Sequence, residues 1–144
     1  MTDVATGAAH HVEFPEPAYE VSAGNNAEFV ATAYRLRYES FVTPASVFDY
    51  EVGARRLVLL KQQPVLGGFD PARYRSERAH AVAPDGTRVP ISLVAPAGAP
   101  RDGSSPMFLS GYGAYGIPYP VTFSSNRLSL LRSEERRVGK ECRL

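Results

Sequence analysis

The sequence predicts a mostly β chain, and three observations predict it. Short runs of alternating or continuous apolar residues recur at close spacing from Tyr34 onward. Twelve glycines and twelve prolines among 144 residues punctuate them, and no stretch before Ser124 carries a convincing helical period. An isolated α/β domain needs crossover helices between its parallel strands, and this chain has none to offer.

Each element follows from its residues. Beyond Glu13 the chain reads as short strands, with Pro15 and Pro17 restricting the opening run to an edge or an irregular path. Tyr34–Phe41 (YRLRYESF) sets Tyr34, Leu36 and Tyr38 against Arg35, Arg37 and Glu39, the period of a half-buried strand. Thr43 and Pro44 break it, since proline donates no ladder hydrogen bond. Ser46–Tyr50 resumes as a strand predicted to pair antiparallel with the first, a turn follows at Gly53, and Arg56–Lys61 (RLVLLK) makes a third strand. Three such strands suggest a meander or one propeller blade, of which a complete one has four strands in roughly 40–45 residues.

The composition then changes. Val65–Pro71, with Gly67 and Gly68, reads as a linker dividing two β clusters. Tyr74–Ala83 is a weaker strand, and alternating Val89, Ile91 and Leu93 complete a hairpin across Asp85 and Gly86. Ala95–Pro106 is a loop. Met107–Leu109 is predicted to be a brief strand entering GYGAYG (Gly111–Gly116), and Ser124–Leu131 suits a short helix.

Composition excludes several functions. An apolar fraction of 44% and a charged fraction of 22% are globular values, which argues against wholesale disorder. Sixteen basic against fifteen acidic residues leave +1, no general attraction for nucleic acid. No run approaches the roughly 20 apolar residues of a membrane span, and no basic-then-apolar leader follows Met1. The expectation is a soluble, cytoplasmic chain with neither a nucleic-acid nor a membrane partner.

Residue chemistry alone names no activity. There is no G-x-S-x-G elbow, and Ser104, Ser105, Ser124 and Ser125 lack flanking glycines. His80 reads as a structural or exposed strand residue, and His10 and His11 lack further metal ligands. Gly111-Tyr112-Gly113 lacks the third glycine and following helix of a dinucleotide fingerprint.

A resemblance goes further. PAY (Pro17–Tyr19), LRYESFVTP (Leu36–Pro44), VLGGFDPARYRSER (Val65–Arg78), DGTRVPISLVAP (Asp85–Pro96), GYGAYG (Gly111–Gly116) and FSSNRLSLL (Phe123–Leu131) occur in the order found in the oligopeptidase B branch of the prolyl oligopeptidase family of serine peptidases. Ser110 departs from the tyrosine more usual there. The resemblance implies a fragment: residues 1–66 as the C-terminal part of a β-propeller, and 67–131 as the linker and first strands of an α/β-hydrolase domain. It also implies a parent enzyme cutting short peptides after Arg or Lys through an acyl-enzyme, without a cofactor.

The family's catalytic serine, aspartate and histidine would lie beyond Leu131, so this chain alone is expected to be inactive and to lack the remainder of its hydrolase domain. By the same resemblance Tyr112 is an oxyanion-hole donor and Tyr115 lines the substrate pocket. Two alternatives stand beside this reading: a fragment of a post-proline prolyl oligopeptidase, and a small non-enzymatic β binding module.

The last thirteen residues differ from the rest. Arg132–Leu144 (RSEERRVGKECRL) holds five basic and three acidic residues, the sole cysteine Cys142, and Lys140, one of two lysines. It has no apolar face at either period. RSEERRVGKECR resembles the translation of a common sequencing-library adapter, so 132–144 is expected to be a non-native tail in which Cys142 binds nothing.

Overall fold

The computed structural model describes residues 1–132. The tail reading therefore falls, Arg132 apart, outside the described residues. Six strands and one α-helix follow in order: β1 (Tyr19–Ala23), β2 (Ala33–Ser40), β3 (Ser46–Glu51), β4 (Arg56–Gln62), β5 (Tyr74–Val82), β6 (Arg88–Pro96) and α1 (Ser125–Arg132), with a single 3-10 turn at Pro71–Arg73 ahead of β5. β1 to β4 form a four-stranded antiparallel meander in chain order, the strand count of one propeller blade, and β5 and β6 form a separate hairpin.

The alternation in β2 sets the register of the first sheet. Tyr38 lies opposite Val21 on β1 and Ser46 on β3, while Leu36 lies opposite Ala23 and Phe48. These residues share one face, where Tyr38 and Tyr50 are 2% and 3% exposed. Phe14 stacks on Tyr38 with ring centroids 4.9 Å apart and Phe48 meets it edge-on at 5.9 Å, so the irregular segment ahead of β1 covers the sheet's apolar face. The opposite face is polar: Arg35 grips Asp49 across the β2–β3 ladder with two hydrogen bonds of 2.8 and 2.9 Å. A bulge between Val47 and Phe48 shifts the β3–β4 register by one residue. As an edge strand, β4 leaves Leu59 and Leu60 half exposed, although its apolar run suits a buried strand.

Phe14 has a charged companion that no local pattern announces. The Glu16 carboxylate accepts hydrogen bonds from the hydroxyls of Tyr38, Ser40 and Thr43. Ser40 Oγ in turn accepts from the N–H groups of Val42 and Thr43, closing the turn that Pro44 terminates.

In the hairpin, Asp85 and Gly86 make the turn: Thr87 N–H donates to the Asp85 carboxylate at 2.9 Å, and Ala83 N–H to the Thr87 carbonyl at 2.9 Å. Only its base is buried. Tyr74 stacks on Phe69 at 5.7 Å, and Phe69 meets Phe123 edge-on at 5.1 Å.

The principal core therefore lies at the junction of the two sheets rather than within either. Ala18, Phe41, Val42, Tyr74, Val121 and Leu128 cluster there, with Val94, Phe123 and Leu131 packed against them. The two sheets are distinct in their hydrogen bonding, yet they share this core, which the predicted division into two clusters did not contain. Ser124 caps α1 by accepting from Arg127 N–H at 3.4 Å, and Leu128 points into the junction. Met107–Leu109 is not a strand: its residues are more than three-quarters exposed, or nearly so, and no described strand lies alongside to pair with them. Apolar character does not make a strand without a ladder partner.

Candidate functional site

The 28-residue stretch 97–124 carries GYGAYG and contains no regular element. Its entrance is held by Arg75, whose Nη1 donates to the carbonyls of Ala97 at 3.1 Å and Ala99 at 2.8 Å, while its Nε pairs with Glu77 at 2.9 Å. Arg101 pairs with the same Glu77 carboxylate at 2.7 Å.

Within the stretch, Ala114–Ile117 forms a tight turn in which Ile117 N–H donates to the Ala114 carbonyl at 3.2 Å. Both central residues are left-handed, Tyr115 at φ 56° and Gly116 at φ 64°, the signature of a type I′ turn. Gly116 adopts that conformation freely, whereas a tyrosine at positive φ is strained by about 1–3 kcal/mol. Gly111 and Gly113 have no left-handed backbone and open space around them, so the turn itself depends on Gly116 alone among the three.

Tyr112 is 51% exposed, and its hydroxyl has no hydrogen-bond partner among the described residues. A phenol presented in this way can donate to an oxygen of a bound molecule. Tyr115 is 90% exposed. The two tyrosines share a loop but do not meet in a pocket.

The remaining candidates lie elsewhere. His10 Nε2 is 2.8 Å from the hydroxyl of buried Tyr50, which folds the N-terminal arm onto β3. Desolvation, then the positive charges of Arg55 and the N-terminus, hold its pKa below the usual histidine value. His80 is exposed on β5 opposite Pro90, and Ser104 Oγ donates to Asp102 at 2.6 Å within its own turn. Ser124 caps α1. Among the described residues, no three His, Cys, Asp or Glu side chains gather as metal ligands, and no helix is long and apolar enough to cross a membrane. The Glu16 cluster is the constellation that the sequence did not reveal. Its hydroxyl partners lie 22 to 27 residues away, beyond any local motif.

No protein-family model matches the chain. It is 37% identical over 128 residues to dipeptidyl aminopeptidase BI of Pseudoxanthomonas mexicana, a match covering 88% of this chain and 18% of that protein. It is 30% identical to protease 2 of Moraxella lacunata, covering 89% of this chain and 19% of that one. The structure of oligopeptidase B from Leishmania major superposes with a TM-score of 0.72 at 31% identity, over 91% of this chain and 19% of that one. Prolyl endopeptidase of Elizabethkingia miricola is more distant, at 24% identity over 112 residues. The relatives of this chain are thus oligopeptidases of the oligopeptidase B, protease 2 and prolyl endopeptidase kind, and the chain spans less than a fifth of the length of each.

Proposed function

We propose that this chain is a piece of a serine oligopeptidase of the oligopeptidase B kind, whose whole protein hydrolyses short peptides after Arg or Lys through an acyl-enzyme. The observation that carries the reading is the likeness to such peptidases along most of the chain. Residues 1–66 are read as the end of a β-propeller, 67–131 as the linker and the start of an α/β-hydrolase domain, and 132–144 as translated adapter. Independent reads of the locus that diverge at the codon for Arg132 test the last of these. The post-proline reading is the weaker one, since the prolyl endopeptidase match has the lower identity. The preference for basic residues belongs to the oligopeptidase B likeness and not to any residue present here. The protein is read as cytoplasmic.

Tyr112 is the residue to which we assign chemistry. As the carbonyl carbon becomes tetrahedral, negative charge collects on its oxygen, and a fixed phenol donor opposes that charge. The exposed, unengaged hydroxyl of Tyr112 suits the task, and Tyr115 would line the adjoining pocket. This chain alone supplies neither nucleophile nor base, so it is expected to turn over no fluorogenic arginyl peptide. Turnover abolished by a serine-directed inhibitor would overturn that expectation. In the whole enzyme, recovered by extending the gene both upstream of the propeller segment and past Leu131, Tyr112→Phe should lower kcat by about 10²–10³-fold, as for loss of one oxyanion donor. An extension without a glycine-flanked serine elbow would sink the peptidase reading.

A further inference from the structure

Glu20 and Glu39 face each other across the β1–β2 ladder, so both side chains leave the same face of the sheet. Like charges directly opposite destabilise an antiparallel pair. Both residues are partly buried, and neither joins an ion pair among the described residues.

What meets the two carboxylates is backbone from the far end of the chain. Glu20 Oε1 accepts from Val121 N–H at 3.3 Å, and Glu39 Oε2 accepts from Phe123 N–H at 3.1 Å. Between them the Thr122 carbonyl accepts from Arg127 Nη1 at 2.7 Å, and that guanidinium sits 4.7 Å from the Phe41 ring centroid. In extended chain the N–H groups of residues i and i+2 point the same way. Two glutamates from neighbouring strands therefore do for residues 121–123 what a pairing strand would do. A groove open to solvent lies between the sheet and Pro120 and Thr122, lined from the sheet by Ser22, Arg37, Val47 and Lys61, while Val121 and Phe123 on either side of Thr122 also pack at the junction core.

We propose that Glu20 and Glu39 are positioning residues, a two-carboxylate clasp that fixes the exit of the 97–124 stretch against the first sheet and so sets where Tyr112 sits. Arg75 holds the entrance of that stretch, and its middle, including Tyr112, is exposed. From the clasp back toward Tyr112, Pro118 and Pro120 restrict the backbone, and the turn at Ala114–Ile117 reverses it. Displacing residues 121–123 would shift that turn and, through it, Tyr112. The clasp stands on its own geometry, while its bearing on catalysis rests on the role proposed for Tyr112.

The test uses the full chain and two readouts. Hydrogen exchange is followed residue by residue in the double variant Glu20→Ala, Glu39→Ala and in its counterpart Glu20→Gln, Glu39→Gln, whose amide oxygens still accept. Spin labels at Gly53→Cys, where added atoms meet nothing, and at Tyr112→Cys report the loop position in a Cys142→Ser background. The alanine pair should speed exchange at Val121 and Phe123 by tenfold or more, with the β2–β3 amides unchanged, and should broaden the distance distribution. The glutamine pair should lie near the wild type in both. Unchanged exchange in the alanine pair would overturn the clasp, as would loss of β2–β3 protection together with the clasp in the glutamine pair. Faster exchange with an unchanged distance distribution would overturn the positioning role. Neither readout involves peptide cleavage, so failure of the peptidase reading would leave both results standing and be separately visible.

Discussion

The hairpin has the longer ladder and the poorer burial. β5 and β6 pair at nine positions against six for β2 and β3, yet Tyr74 is the hairpin's one buried side chain, while the first sheet buries Tyr38, Ser40, Ser46 and Tyr50. Hydrogen bonding is unbroken in the hairpin and interrupted by one bulge in the first sheet, so ladder regularity does not account for the burial. The difference is what lies on the face: Phe14, Glu16 and His10 cover the first sheet, whereas beyond its base the hairpin meets little else. Two-stranded hairpins are marginal in water on their own, so this one depends on the junction core at its base.

The largest effect should come from Tyr38→Ala, which removes a buried ring touching Phe14, Tyr19 and Phe48. A loss of about 3–5 kcal/mol is expected, as for other buried aromatics cut to alanine, read as a drop in the urea midpoint of the whole chain. Tyr74→Ala sharpens the comparison by being selective. Hydrogen exchange in β5 and β6 should rise by orders of magnitude while the first sheet keeps its protection, and equal loss in both regions would show that the sheets do not differ in independence.

A smaller effect separates ring from hydroxyl. Tyr38→Phe keeps the packing and removes a hydrogen bond to a carboxylate, a loss of about 1.5–3 kcal/mol. It also carries a pH signature. Burial, then the bond to Glu16, raises the Tyr38 pKa well above the ordinary phenol value. Below about pH 10 folded and unfolded tyrosine both hold their proton; above it the unfolded chain releases its proton first, so stability should fall as pH rises from there. That part of the alkaline decline should be absent in Tyr38→Phe, and an identical decline in both proteins would refute the assignment. The smallest effect lies in neither sheet: Tyr115→Gly relieves the left-handed tyrosine and should slow exchange of the Ile117 amide, while Gly116→Ala should hasten it.

These expectations map onto what the residues announced. Alternation in Tyr34–Phe41 and the glycine turn at Asp85–Gly86 are local, and the strands and antiparallel pairings they predict are present. Met107–Leu109 has the apolar character of a strand, but pairing depends on a neighbour and no three-residue run specifies one. The junction core was illegible because Phe41, Tyr74 and Leu128 are brought together across more than eighty residues of chain, with no shared period to mark them. Glu39 illustrates the point within one strand. Its place on the polar face was plain, while its partner, the Phe123 amide, lies 84 residues away. For Tyr112 the position on a glycine-bearing loop was legible, and the role proposed for it rests only on the family likeness.

The junction core has a topological consequence. Val121 and Leu128 are held by side chains from both sheets, whereas the peptide linking them back to β6 runs through an exposed stretch without a ladder. Arg101 is the single basic residue between Ala97 and Ser124, and its side chain is 70% exposed. One tryptic cut there is expected to leave the helix seated, with separately produced segments 1–101 and 102–132 reassembling through these contacts. Covalent continuity between hairpin and helix would then be dispensable, with the non-covalent joint at Phe41, Tyr74 and Leu128 holding the two sheets together.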